Sequence, residues 1–319
     1  MKQESNVNNN EFIVKIEGGL GAQIIGLSTY YFLKSIGCKV LADVSYFDYP
    51  LRIAEIGKPE VTHWDWQLNY YNIDLDSFDW INTNKLRQFF VNSLVDNKEG
   101  IEIFDFKKTL EKYKQNTNKR FEDYNFISKR QSDFSNFFEK NPVLIKDGPN
   151  KAKLFINAMK NKNIKNNFLG ISNKWKRIIK KKNIDLDKSC CVHIRRGDYL
   201  NVANHLMSEE SIFEISNKLP KFIKDIVIFS DSDSGDNEIF IKKLKNKFEN
   251  VFWMDNLHFI DAHQIMRESQ ILICSNSQFS LTAAYLGENF SIIPQKFSAD
   301  DDFIFQYRNQ QTSFALLNN

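Results

Sequence analysis

The sequence predicts an α/β fold made of two halves, each organised around a parallel sheet. Three observations carry this. Short, β-rich apolar runs recur along the 319 residues, and several are followed by helix-like periodicity. Near the N-terminus a strand, a Gly-rich turn, a helix and a second strand follow one another, a βαβ unit that implies parallel pairing. The composition, 42% hydrophobic and 26% charged, is that of a globular chain long enough for about two domains.

Phe12 to Ile16 reads as the first strand and Gly18-Gly19-Leu20-Gly21 as a turn. Ile24, Leu27, Tyr31 and Ser35 then mark one face of a helix that stops at Gly37, and Lys39 to Val44 form the next strand. The stretch from Asp48 to Lys165 is rich in aromatic and charged residues and is expected to be mostly helical. Cys190-Cys191-Val192-His193-Ile194 has the unbroken apolar character of a strand buried on both faces. Ser208 suits an N-cap, with Glu209 and Glu210 at the positive end of the helix that follows. Ile226 to Phe229 is a strand, and the next helix carries Ile239, Phe240, Leu244 and Phe248. Val251 to Trp253 is a short strand, and Asp261 heads a helix reaching Glu268. Ile271 to Cys274 is a strand, a helix runs from about Phe279 to Leu286, and Ser291-Ile292-Ile293 closes the series before Pro294. The expected domains are residues 11–182, ending in a basic junction, and residues 183–319, a complete doubly wound half.

The formal charge is +3, from 43 Lys plus Arg against 40 Asp plus Glu. That lacks the basic excess of a nucleic-acid-binding domain. No apolar run approaches the roughly 20 residues that cross a bilayer. Met1 to Asn10 is polar, without the apolar core of a secretory signal, so a cytoplasmic location is expected. Cys38, Cys190, Cys191 and Cys274 have no C-x-x-C spacing and read as buried free thiols. The charge is segregated: Lys151 to Lys182 holds ten Lys and Arg177 with no acid, and the remaining chain is net acidic. Within it, Lys174 to Lys182 interleaves apolar residues with cations. It reads as a solvated helix between domains or as a helix lying on an anionic membrane surface.

The strongest candidate site is His193-Ile194-Arg195-Arg196-Gly197-Asp198-Tyr199, directly after the buried strand. Open α/β sheets bind ligands at the carboxyl ends of their strands, and two adjacent guanidinium forks suit a diphosphate. Asp198 can orient one fork or accept a proton; the competing reading is an Arg–Asp pair on the surface. Gly18 to Gly21, with Gln23 just beyond, offers close backbone approach and free helix N–H groups to an anion, or is only a turn. It matches neither G-x-G-x-x-G nor a P-loop. Asp231 and Asp233 form an Asp-x-Asp pair that holds a divalent cation or merely shapes the turn before a helix. Asn276 and Ser277, where a buried strand meets a helix start, suit a phosphate or sugar contact or simple capping. Asp261 is a cap or a carboxylate accepting from a purine N1–H and exocyclic amine. Trp64, Trp66, Tyr70 and Tyr71 are core aromatics or a sugar-stacking surface. His63, His205, His258 and His263 show no metal-ligand spacing, and no G-x-S-x-G elbow is present.

Four of these motifs, in order from Gly18 to Leu286, resemble the α-1,2-fucosyltransferase family. Gly18-Gly19-Leu20-Gly21-Ala22-Gln23 is similar to its opening Gly-Gly-Leu-Gly-Asn-Gln, and His193 to Tyr199 keeps its His-x-Arg-Arg-x-Asp-Tyr intact. Phe229-Ser230-Asp231 keeps three residues of a Phe-Ser-Asp-Asp element, with Ser232 in the last place. Asn276-Ser277-Gln278-Phe279-Ser280 resembles a late Asn-Ser-x-Phe-Ser element, with Leu281-Thr282 where the family has two Trp. The resemblance implies an inverting, metal-independent, GDP-fucose-dependent glycosyltransferase of GT-B-like fold. Two Rossmann-like halves would face a cleft, the N-terminal one on the acceptor side and the C-terminal one binding the nucleotide sugar. Arg195 and Arg196 would hold the pyrophosphate, with Asp198 the candidate base. Gly19, Gly21, Gln23, His193, Tyr199, Asp231, Asp261, Asn276 and Ser277 would line the donor site, and the acceptor would be a galactose-containing glycan. Two alternatives stay open. One is a metal-dependent glycosyltransferase using Asp231 and Asp233; the other, suggested by Ala22 and Leu281-Thr282, is a nucleotide-sugar or glycan binder without catalysis.

Overall fold

The computed structural model describes residues 11–44, 47, 65–73, 102–103, 143–145, 149–170, 173–196, 207–232, 235–294 and 314–317. The chain divides into two compact units, Met1–Asn69 with Ile73–Asn167 and Tyr70–Asn72 with Phe168–Asn319. The division falls before Phe168, ahead of the boundary expected after residue 182. One reason is the buried Arg267, whose Nη1 donates to the Phe168 carbonyl at 2.6 Å and so ties that residue to the second unit.

In the first unit, β1 (Glu11–Lys15), α1 (Leu20–Ser35) and β2 (Lys39–Asp43) form the expected βαβ unit, with β1 and β2 parallel. Strands β3 (Glu102–Ile103) and β4 (Val143–Ile145) complete an all-parallel sheet of order β2-β1-β4-β3. Helices α2 (Pro149–Met159) and α3 (Lys162–Asn166) follow. Helix α1 is not the one-faced helix its spacing suggested. Leu20 to Tyr30 are all buried, because α1 packs on its own sheet and also against α2. Tyr31 is half-buried and Ser35 exposed, so the two positions extending the expected face lie where burial fades. Among its described residues the aromatic-rich middle holds two strands besides helices; most of 74–142 lies outside the described residues.

The second unit contains α4 (Lys174–Lys182), β5 (Ser189–Ile194), α5 (Glu209–Asn217), β6 (Asp225–Ser230), α6 (Glu238–Lys245) and β7 (Asn250–Trp253). It continues with α7 (Phe259–Glu268), β8 (Ile271–Ile273), α8 (Gln278–Leu286), β9 (Phe290–Pro294) and β10 (Phe314–Leu317). Its six strands are all parallel, in the order β10-β9-β8-β5-β6-β7. All six residues of β5 are buried, as a central strand between two helical layers requires. The chain lays β5, β6 and β7 toward one edge, then crosses back to place β8, β9 and β10 on the other side. The direction of winding therefore reverses between β5 and β8, the point where open sheets of this kind form a ligand crevice.

Two local details differ from expectation, and the burial of the basic helix adds a third observation. Ile239 is 76% exposed while Phe240 and Leu244 are buried, because one helical step of about 100° carries Ile239 off the face that meets the sheet. His258, not Asp261, caps α7: its Nδ1 accepts from the Ile260 N–H at 3.4 Å. In α4, Ile179 is buried and Trp175 and Ile178 are half-buried, with the helix packed against α7. The apolar residues are thus turned toward the protein, and Lys174, Lys176, Arg177, Lys180, Lys181 and Lys182 form the exposed side.

Gly287 ends α8 with φ −78°, so the backbone makes no demand for glycine there. Space does: a Cβ would lie 2.5 Å from the Arg267 carbonyl oxygen and 3.1 Å from the Ala283 oxygen, neither able to swing away. Gly287→Ala is expected to destabilise the chain by about 1–3 kcal/mol, the usual cost of overpacking. Thermal denaturation reads this directly, and an unchanged Tm would refute the crowding argument.

Candidate active site

Arg195 and Arg196 leave the carboxyl end of β5 as Asp231 leaves that of β6. The register that pairs Ile194 with Ser230 brings them together. Asp231 Oδ2 meets Arg195 Nη1 at 2.9 Å, and Oδ1 accepts from the Arg196 backbone N–H at 2.6 Å. A single carboxylate therefore holds both arginines. The Arg196 guanidinium reaches the other way, donating from Nη1 to the Met207 carbonyl and from Nη2 to Glu209, both at 3.3 Å. Glu209 belongs to the first turn of α5, which Ser208 caps by accepting from the Ser211 N–H at 3.1 Å. Asp231 was expected to line the donor site. The structure commits its carboxylate to the arginines, which makes it their anchor. Glu209 was read only as a helix-dipole partner; its pairing with Arg196 joins two residues thirteen positions apart, which no local pattern announces.

Across the winding reversal, His193 Nδ1 lies 2.7 Å from Ser275 Oγ, and both residues are buried. The His193 ring centroid is 5.4 Å from that of Phe279, which is 5.2 Å from that of His263. His263 is also bracketed: Nε2 lies 3.2 Å from Thr282 Oγ1, and Nδ1 lies 3.1 Å from the Tyr71 hydroxyl. Burial, with the Arg195 charge adding to it, lowers the His193 pKa to about 3. Burial likewise holds His263 well below the ordinary range, with Arg267 and His193 contributing. Both imidazoles are therefore neutral. Tyr71 is buried and its hydroxyl is pushed up to about 12 by that burial, so it remains a donor. This corrects the sugar-stacking reading for Tyr71, which is core. Tyr70 stays 40% exposed, its ring edge-on to His258 and Phe259.

Asp261 is 2% exposed, in the first turn of α7, and its Oδ1 has no hydrogen-bond partner among the described residues. A buried carboxylate oxygen left without a donor carries a desolvation cost. It is suited to a ligand that brings an N–H. Asn276 is buried, and Ser277 caps α8 by accepting from the Phe279 N–H at 3.3 Å.

The Gly-rich turn lies in the first unit. Gly18 has φ +75°, the left-handed region that favours glycine, and Gly19 is the extended N-cap of α1 without a side-chain cap bond. Gly21 lies within the helix, buried. Gln23 was expected to reach a ligand, and here the structure gives it other work. Its Nε2 donates to the Gly18 carbonyl at 2.7 Å and to the Asp65 carbonyl at 2.9 Å, while its Oε1 accepts from the Gln67 N–H at 2.8 Å. A fully buried amide so engaged has no donor left for a substrate, and it clasps residues 65–67 to the turn. Trp66 is half-buried and donates from Nε1 to the Ile73 carbonyl at 3.0 Å. Asp198, Tyr199, Asp233, Trp64, His63 and His205 lie outside the described residues.

Anchored guanidinium groups lie at the carboxyl edge of a doubly wound sheet, with an unsatisfied buried carboxylate in the same unit, a set of groups chemically suited to a diphosphate and an N–H-bearing ligand. The chain belongs to glycosyl transferase family 11, whose model matches residues 103–314, more than half of its length. This agrees with the resemblance carried by the motifs. No curated protein matches it. Among solved structures, POFUT1 in complex with GDP is similar, with a TM-score of 0.45 and 12% identity over 91% of this chain and 99% of that one. The fucosyltransferase NodZ from Bradyrhizobium is similar with a TM-score of 0.40 and 11% identity, over 88% of this chain and 93% of its own. These are remote likenesses, and the family match carries the assignment.

Proposed function

We propose that this chain transfers fucose from GDP-fucose to a glycan hydroxyl, O2 of a galactose, with inversion and without a metal ion. The observation that carries the reading is the pair Arg195 and Arg196 fixed by Asp231 at the carboxyl edge of β5. In the reaction the acceptor oxygen attacks C1 of fucose from the face opposite the diphosphate. The C1–O bond breaks, and its electron pair stays on the β-phosphate oxygen. GDP gains a negative charge as this happens. Cations already oriented at this edge stabilise that charge more in the transition state than before it. Asp198, two residues beyond Arg196, is the candidate to take the acceptor proton. The unpartnered Oδ1 of Asp261 supports a role in accepting from the guanine N1–H and exocyclic amine.

Incubation with GDP-fucose and a panel of galactosides, with and without excess EDTA, tests this. GDP release that persists in EDTA is the expected result. Failure to release GDP with any acceptor, together with no GDP binding by calorimetry, overturns the reading. Activity abolished by EDTA points instead to metal-dependent transfer through Asp231 and Asp233, and GDP affinity without turnover to a non-catalytic binder.

A further inference from the structure

We propose that Ser275 is a positioning residue for His193, holding the ring with its proton on Nε2 so that this N–H is presented to the departing diphosphate. The inference rests on the donor-site reading above and adds a residue to it. Its ground is the hydrogen-bond chain at the start of α8. Ser280 Oγ lies 3.3 Å from the Ser277 carbonyl and 3.5 Å from that of Ser275, and carbonyls only accept, so the Ser280 proton is spent there. The Ser275 hydroxyl proton then has two destinations, His193 Nδ1 at 2.7 Å and Ser280 Oγ at 3.5 Å. Distance decides for the histidine. A neutral imidazole that accepts at Nδ1 carries its proton on Nε2, and that is the ring's remaining donor.

The neighbouring histidine follows the same logic. Thr282 Oγ1 donates to the carbonyls of Gln278 and Phe279, at 2.9 and 3.0 Å, and so accepts from His263 Nε2. Ser275 lies just ahead of α8, and Phe279 and Thr282 are three residues apart on one side of it. One helix start thus sets both rings, with Phe279 between them. Ser275 itself is fixed by the preceding residue, because the Cys274 N–H donates to the Ile292 carbonyl at 2.9 Å and extends the β8–β9 ladder.

The test uses the full chain with 15N-labelled histidine. Long-range proton–nitrogen spectra should show His193 as a single tautomer, unprotonated at Nδ1 and protonated at Nε2. Ser275→Ala should give a mixture of tautomers. Both GDP affinity and kcat should fall about tenfold, the scale of one weakened hydrogen bond to a charged group. KM for the acceptor should not change. Ser275→Thr, which keeps the hydroxyl, should restore all three readouts. If Ser275→Ala does not fold, Ser275→Cys, with its weak donor, carries the comparison. A wild-type proton on Nδ1, or an alanine variant with unaltered tautomer and GDP affinity, overturns the proposal. Absence of GDP binding by the wild-type chain defeats the functional reading instead, and the tautomer measurement still decides the role of Ser275.

Discussion

Asp231→Ala is expected to lower kcat/KM for GDP-fucose by roughly 100-fold, about 2.7 kcal/mol of transition-state stabilisation. The carboxylate pairs with the Arg195 guanidinium and holds the Arg196 backbone N–H, so its removal frees the Arg195 cation and loosens the strand end that carries Arg196, the two groups proposed to meet the diphosphate. Truncating one partner of a desolvated charge pair costs about 2–5 kcal/mol. The Asp231 side chain is 26% exposed, which places the expectation toward the lower end of that range. Asp231→Asn should fall less, since an amide oxygen still accepts from the Arg196 N–H. Steady-state kinetics with a thermal-denaturation control separates this from loss of fold. An alanine variant with near wild-type kcat/KM would remove Asp231 from the machinery.

Acidification should produce the largest stability change. His193 titrates at about 3 in the folded chain, and His263 well below its ordinary value. In the unfolded chain both return to about 6.5. Folded pKa values below the unfolded ones mean that the unfolded state alone gains protons as pH falls. Stability is therefore complete above about pH 6.5 and is lost progressively toward about pH 3. By linkage the His193 ring contributes about 2 kcal/mol of loss at pH 5, and His263 adds to the loss in the same direction. Urea unfolding at pH 7 and pH 5 measures the sum, and His263→Gln should flatten the dependence. Equal stability at the two pH values would show that these rings are not held neutral.

The second sheet was largely legible in the sequence. A parallel strand covered on both faces must be apolar throughout, and Cys190 to Ile194, Ile226 to Phe229 and Ile271 to Cys274 are such runs. The two arginines were legible because they adjoin a strand end, a local feature. The anchoring by Asp231 was not, since it depends on β5 lying beside β6 in one register. The pairing of Ser275 with His193 escaped for the same reason: the two lie 82 positions apart and meet only because β8 is laid against β5. Gln23 was misread in the opposite sense. Its motif pointed to a ligand, while the amide closes a loop whose path, through Asp65 and Gln67, no short window contains.

The first sheet imposes a timing on synthesis. β1 pairs with β2 within the first 43 residues, but its other side waits for β4, with Phe12 opposite Val143. A ribosome adding about 5–20 residues each second needs roughly 7–26 s to cover that interval. Throughout it, one edge of β1 has exposed backbone donors and acceptors, a template for pairing with another chain. The nascent protein is thus most prone to aggregate before its second unit has been made, and a chaperone that shields strand edges should raise its soluble yield by acting during translation.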